Sequence, residues 1–229
     1  MQGCLTVVMD TSHSPLLIGV QNDGKLVTAR RQGIKQEKLL FPVLNGLLAK
    51  AGGTLQDVKR IFIIRGPGRF TGIRIALTFA SMLRMLNRCD VKGATLFEVI
   101  YRQVTALRAY QSWQQTHPHG AVAVVLHAFR EEYFLQIFDA GKSAPQWLGR
   151  EELLAQLAAY KHPLFVAGTD KDFAPLDELL GNAYTLAPYK ACRVQAATLA
   201  ALAEEPAWAQ NALEPLYLKP ARFELEKPL

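Results

Sequence analysis

Apolar residues in the first thirty positions come in short runs broken by turn-formers. The runs 5–9, 16–20 and 25–31 read as strands, separated by Ser12 to Pro15 and by Asn22-Asp23-Gly24. They predict an antiparallel meander. From 36 to 51 the period changes: Leu39/Leu40, Val43/Leu44, Leu47/Leu48 and Ala51 return to one helical face, Pro42 sits in the second turn, and Gly52-Gly53 stops the pattern. A β-branched run at 58–64, a glycine-rich turn, a helix from about 72 to 87 and a strand at 91–96 follow. The resulting order is βββαβαβ.

A meander followed by two helical crossovers onto parallel strands predicts a mixed sheet and the α/β class. Ribonuclease-H-like and actin-like folds share that order. A helix at 97–116 runs into the polar tract Gln114-Gln115-Thr116-His117-Pro118-His119-Gly120, which reads as a surface connection between lobes. Beyond it the pattern predicts a hairpin at 121–126 and 132–138, a helix at 151–160, a strand at 164–167, a helix at 172–180 and a short strand at 184–187. A helix at 195–205 and a strand at 215–218 complete it. The expected division is an N-terminal lobe, 1–107, and a smaller C-terminal lobe, 108–229, whose last helix and strand segment is free to pack back on the first. No internal repeat of fixed period is visible.

Composition narrows the classes. Half of the 229 residues are hydrophobic, 20% are charged and mean hydropathy is +0.05, so the chain buries enough apolar surface to fold. No uninterrupted apolar run approaches the ~18 residues of a membrane span, and the first ten residues read as a strand and not as a signal peptide. A cytoplasmic protein with no membrane partner is expected. Cys4, Cys89 and Cys192 are odd in number and far apart, which argues against a disulfide framework or zinc ribbon. The net charge of +6 permits attraction to a polyanion, but the basic residues are scattered and no aromatic RNA-recognition motif is present.

The strongest local signal is Gly66-Pro67-Gly68-Arg69-Phe70-Thr71-Gly72-Ile73-Arg74, between a strand and a helix. Glycines there can bring backbone N–H groups to an anion, or can serve a tight structural turn. The string lacks a Walker Gly-Lys-Ser/Thr, misses the dinucleotide spacing by one residue, and Pro67 removes a donor. Asp10 ends the first strand, where actin-like ATPases and ribonuclease-H-like nucleases place a carboxylate. Neither the converging acids of a two-metal site nor a Gly-Thr/Ser turn accompanies it. The five histidines show no metal-ligand spacing, and no Gly-x-Ser-x-Gly turn exists. No catalytic set and no metal site are expected.

The second helix is unusual. Ile73, Ala76, Leu77, Ala80 and Leu83 form one apolar stripe and Ile75, Phe79, Met82 and Leu86 another. Together they span roughly 220°, where a helix lying on one sheet needs only about 100°. Either the chain's own second lobe or a protein partner covers the remainder.

These residues resemble the bacterial TsaB family, once called YeaZ. The resemblance is carried by Val8-Met9-Asp10-Thr11-Ser12, Gln36-Glu37-Lys38-Leu39-Leu40-Phe41-Pro42, the glycine string just described, Ala128-Phe129-Arg130-Glu131-Glu132-Tyr133 and Glu214-Pro215-Leu216-Tyr217-Leu218. It implies a two-lobed actin-like (ASKHA) fold that has lost its own active site and serves as scaffold for the paralogous subunit TsaD. With TsaD and the ATPase TsaE, such a protein supports threonylcarbamoyl transfer to the adenosine 3′ of the anticodon in ANN-decoding tRNAs. ATP would belong to the partner subunits, with no cofactor bound tightly here. TsaD carries two metal-binding histidines shortly after the strand equivalent to Val91-Lys92-Gly93-Ala94-Thr95-Leu96, and this chain has none there. The family uses its two N-lobe helices to bind TsaD and, in its absence, to form a homodimer, which implies an interface at Leu40, Leu44, Leu48, Ile75, Phe79, Met82 and Leu86. The motif loop is Gly66, Pro67, Gly68, Phe70, Thr71, Gly72 and Arg74, and Asp10 marks a degenerate phosphate position. Arg69, Gln36 and His127 stand where the family commonly has Ser, His and Asp. A free-standing actin-like ATPase or peptidase-like enzyme, and a direct tRNA-binding module, are the competing readings.

Overall fold

The opening strand has no exposed side. β1 (Leu5–Asp10) is buried along its whole length, as expected of a central strand covered on both faces. In the computed structural model, which describes residues 4–33, 35–139, 143–168, 175–209 and 211–219, it pairs antiparallel with β2 (Leu16–Asn22) and parallel with β4 (Val58–Ile64). β3 (Lys25–Arg31) and β5 (Asp90–Ala94) complete a sheet of order β3-β2-β1-β4-β5. The βββαβαβ order is present as read from the sequence, with α1 (Gln36–Lys50) and α2 (Phe70–Asn87) as the crossovers. Strand alternation sends Leu5, Val7, Met9, Ile18, Ile61 and Ile63 to one core. There they meet Leu40, Leu44 and Leu48 of α1 and Ala76, Phe79, Ala80 and Leu83 of α2.

The opposite face of this sheet is covered from far along the chain. α8 (Ala196–Glu204) packs on β1, β2 and β4, and a Cβ on Gly19 would lie 3.4 Å from that of Ala196. Buried Leu199 and Leu202 contribute about 1.5–3 kcal/mol each. The compact units are therefore Met1–Val99 with Val194–Leu216, and Ile100–Arg193 with Tyr217–Leu229. The expected cut at 107/108 moves to Val99/Ile100, inside α3 (Leu96–Thr105), and the C-terminal lobe is interrupted. A two-faced sheet needs two layers of cover, and α1 and α2 supply only one.

The second unit repeats the first in topology. β6 (Ala121–Phe129), β7 (Glu132–Phe138) and β8 (Gln146–Gly149) form a meander, α5 (Arg150–Ala159) leads to β9 (Leu164–Gly168), and α6 (Leu176–Leu180) leads to β10 (Thr185–Leu186). The order β8-β7-β6-β9-β10 matches that of the first sheet. β8, too short to show alternation, is not apparent in the sequence pattern, and neither is α7 (Tyr189–Cys192).

Other expectations shift. The helix expected at 97–116 is two, α3 and α4 (Arg108–Thr116), and of the one expected at 172–180 the positions 172–174 lie outside the described residues. No strand forms at 215–218; instead the Leu216 N–H donates to Arg65 O at 2.7 Å, one tie in place of a ladder.

Candidate functional site

The glycine loop joins β4 to α2 and lies on the turn that follows β1. Its small residues are dictated by backbone approach. A Cβ on Gly68 would stand 2.6 Å from Ser12 O, and one on Gly72 would stand 1.9 Å from Thr11 O. Gly66 has a φ of +123° and faces Leu216 O, 2.5 Å from where its Cβ would be. The Arg69 N–H donates to Ser12 O at 2.7 Å, the Thr11 hydroxyl donates to Gly72 O at 2.7 Å, and the Leu96 N–H donates to Gly66 O at 2.7 Å. The motif is thus a clamp between strand ends. Gly66, Pro67 and Gly72 are buried, whereas Phe70, Thr71 and Arg74 are exposed, with the Arg74 guanidinium 4.0 Å from the centre of the Phe70 ring.

Asp10 is buried beside this clamp. Its Oδ1 accepts from the Ser12 N–H at 2.9 Å and from the Ser12 hydroxyl at 2.5 Å, and that hydroxyl lies 3.0 Å from His13 Nδ1. Asp, Ser and His are adjacent here, but in the wrong order for nucleophilic catalysis: the hydroxyl donates to the carboxylate, and Ser12 is 0% exposed. The Ser12 and Arg69 N–H groups are engaged internally, and the loop and turn touch at backbone distance.

The partner surface expected on α1 and α2 is partly corrected. Leu40, Leu44, Leu48 and Phe79 belong to the core: the α1 residues lie four apart, on the face turned to the sheet, and Phe79 is only 4% exposed. Ile75 and Met82 are half-buried, and Leu86 is 70% exposed. What remains outside is a different apolar set of Phe41, Phe70, Met85 at 82% and Leu86, with the Phe41 ring set edge-on to Phe79 at 5.7 Å. Phe41 and Met85 escaped sequence reasoning because Met85 lies off both stripes and Phe41 adjoins a core leucine. The signal for Phe41 was the doubled apolar pair with Leu40.

The remaining chemistry-bearing groups have ordinary structural settings. His117 stacks on Trp113 at 4.7 Å, with Nδ1 2.9 Å from Trp113 O. Among the described residues no group of three or more His, Cys, Asp or Glu side chains converges to hold a metal. Burial pushes the Cys89 thiol up to about 12 and the Cys192 thiol up to about 11, while Cys4 is exposed. No helix among the described residues is long and apolar enough to cross a membrane.

Comparison with known proteins adds a relationship to this geometry. The family described as "TsaD: tRNA N6-adenosine threonylcarbamoyltransferase" matches residues 34–103, which include α1, the glycine loop and α2. The tRNA threonylcarbamoyladenosine biosynthesis protein TsaB of Buchnera aphidicola subsp. Schizaphis graminum is 26% identical over 112 residues, 48% of this chain and 52% of that protein. TsaB of Haemophilus influenzae is 25% identical over 138 residues, 60% of this chain and 55% of that protein. The chain thus spans about half the length of the curated relatives it matches. Among solved structures, "YeaZ from Pseudomonas aeruginosa" has a TM-score of 0.66 at 24% identity, covering 94% of this chain and 100% of that one. That likeness bears on the fold alone, an α/β architecture with two five-stranded mixed sheets.

Proposed function

From its similarity to the TsaB (YeaZ) proteins, we propose that the chain is a non-catalytic subunit of tRNA threonylcarbamoyladenosine biosynthesis, a scaffold that pairs with TsaD and works with TsaE in the cytosol. The observation that carries this reading is the set of exposed apolar side chains on α1 and α2, Phe41, Phe70 at the clamp end of α2, and Met85 with Leu86 at its far end, beside which the clamp's own atoms are engaged with one another. Burying such a face against a partner removes the cost of leaving it in water. The sealed turn around Asp10 supports leaving ATP and the transfer chemistry to the partner subunits. Alone, the chain uses the same face to form a homodimer.

Light-scattering chromatography of the protein, alone and mixed with TsaD from the same cell, tests the proposal. A one-to-one complex that displaces the homodimer is expected. The double variant Met85→Asp, Leu86→Asp should weaken that complex more than 100-fold, since unpaired carboxylates buried in an apolar interface cost about 3 kcal/mol or more. Unchanged association would place the interface elsewhere, and ATP hydrolysis by the isolated chain would sink the non-catalytic reading.

A further inference from the structure

The second unit carries a surface feature that the scaffold role does not use. The β6–β7 hairpin closes through the two-residue loop Arg130-Glu131, with Phe129 opposite Glu132, and its register shifts between His127 and Phe129. Such a shift re-aims a side chain, and Phe129 stands 57% exposed at the tip. The loop is held in place by His127, whose Nε2 lies 2.7 Å from Arg130 O. Arg130 has a φ of 52°, where glycine or asparagine would be at ease and arginine is not. The turn chemistry gives no reason for arginine at this position, whereas its side chain does.

The guanidinium carbon of Arg130 lies 5.1 Å from the Phe129 ring centre. Lys219 Nζ lies 5.6 Å from the same ring and 5.2 Å from that of Trp147. The two acids of the patch are both engaged: Glu131 pairs with Arg150 at 3.0 Å, and Glu132 pairs with Lys219. Among the described residues, three cations, Arg130, Arg150 and Lys219, stand against Glu131 and Glu132, and Arg130 is the cation that no carboxylate of those residues pairs. An exposed ring flanked by a guanidinium is the arrangement on which unpaired bases stack, with the cation placed for the adjoining phosphate. A duplex would need a basic stripe, and the basic residues of this chain are scattered. An acidic peptide would meet exposed Glu131.

We propose that the tip of the β6–β7 hairpin is a stacking platform for single-stranded RNA, taking one unpaired base on Phe129 and a backbone phosphate at Arg130. The proposal rests on the reading of the chain as part of a tRNA-modifying assembly, and it gives that assembly a contact on this subunit with the unpaired nucleotides of its substrate.

Fluorescence anisotropy of the full chain with a labelled oligouridine of about 12 nucleotides, at about 50 and 200 mM salt, tests it. Phe129→Ala should weaken binding about 5- to 100-fold and Phe129→Trp should preserve it, because any base stacks on any aromatic face. Arg130→Gly relaxes the turn, so the melting temperature should hold or rise. It should nevertheless bind several-fold more weakly, with the slope of log K against log salt smaller by about 0.7. Wild-type affinity in Phe129→Ala, absence of wild-type binding at the lower salt, or equal displacement by polyglutamate would each overturn the platform. The Met85→Asp, Leu86→Asp variant should bind the RNA normally. Failure of the wild-type chain to associate with TsaD while it still binds the RNA would count against the scaffold reading alone, and association with TsaD without RNA binding against the platform alone.

Discussion

At the scale of single residues, two glycines of different surroundings make opposite predictions. Gly72→Ala would drive a Cβ to 1.9 Å from Thr11 O, a backbone atom that cannot swing aside. The clamp must open, at a cost of about 2–3 kcal/mol or more, seen as a fall in melting temperature of about 4–12 °C. Gly46→Ala, inside α1 with nothing within 4 Å of the added carbon, should stabilise by about 0.5–1 kcal/mol through helix propensity. Cys89 and Cys192 are held protonated by burial, so a thiol-reactive dye should titrate Cys4 quickly in the native protein and all three cysteines only after denaturation. The linked pH effect has a definite sign. The Cys89 thiol sits at about 12 in the fold against 9.0 ordinarily, so its contribution is complete below pH 9 and declines as pH rises toward 12. The urea midpoint should fall on going from about pH 8 to pH 10.5, and should fall less in Cys89→Ala.

Elements bring together what residues alone leave open. α8 ends against a buried cation: Lys92 of β5 donates from Nζ to Ala203 O at 2.8 Å and lies 3.7 Å from Asp90, while Arg60 pairs with Glu204 at 2.6 Å. A positive charge suits the carboxyl end of a helix. Lys92→Met should leave that carbonyl unpaired and destabilise by about 1.5–3 kcal/mol, with faster amide exchange in α8 than in α1. In α2 one helix holds two kinds of apolar residue. Leu86→Asp should change the melting temperature little, because a surface substitution shifts stability by only about 0.5 kcal/mol. Phe79→Asp should unfold the unit, because it buries an unpaired charge in the core. The clamp string was legible as a strand-to-helix turn with special glycines. Its structural role was not, because the atoms that require those glycines, Thr11 O and Ser12 O, lie some sixty residues earlier.

The whole molecule is organised by the need to cover both faces of each sheet. A fragment of residues 1–107 contains all five strands of the first sheet but not α8, so the outer face of β1, β2 and β4 would lie bare. It should bind a hydrophobic dye and show no cooperative melting, and joining 194–216 to it through a flexible linker should restore a sharp transition. Local periodicity in the chain was enough to specify the βββαβαβ order of the first unit, the hairpin of the second, the glycine turn and the general extent of most helices, because side-chain direction repeats every 2 or 3.6 residues whatever the rest of the protein does. It could not show that the second unit repeats that topology, since β8 is too short to carry a period. Nor could it distinguish Phe79 in the core from Leu86 in solvent, bring α8 back to the first sheet, or set Lys219 beside Phe129. Those outcomes belong to the fold, because an apolar stripe specifies that something must cover it, while packing among distant segments selects which surface does so and which side chains remain outside.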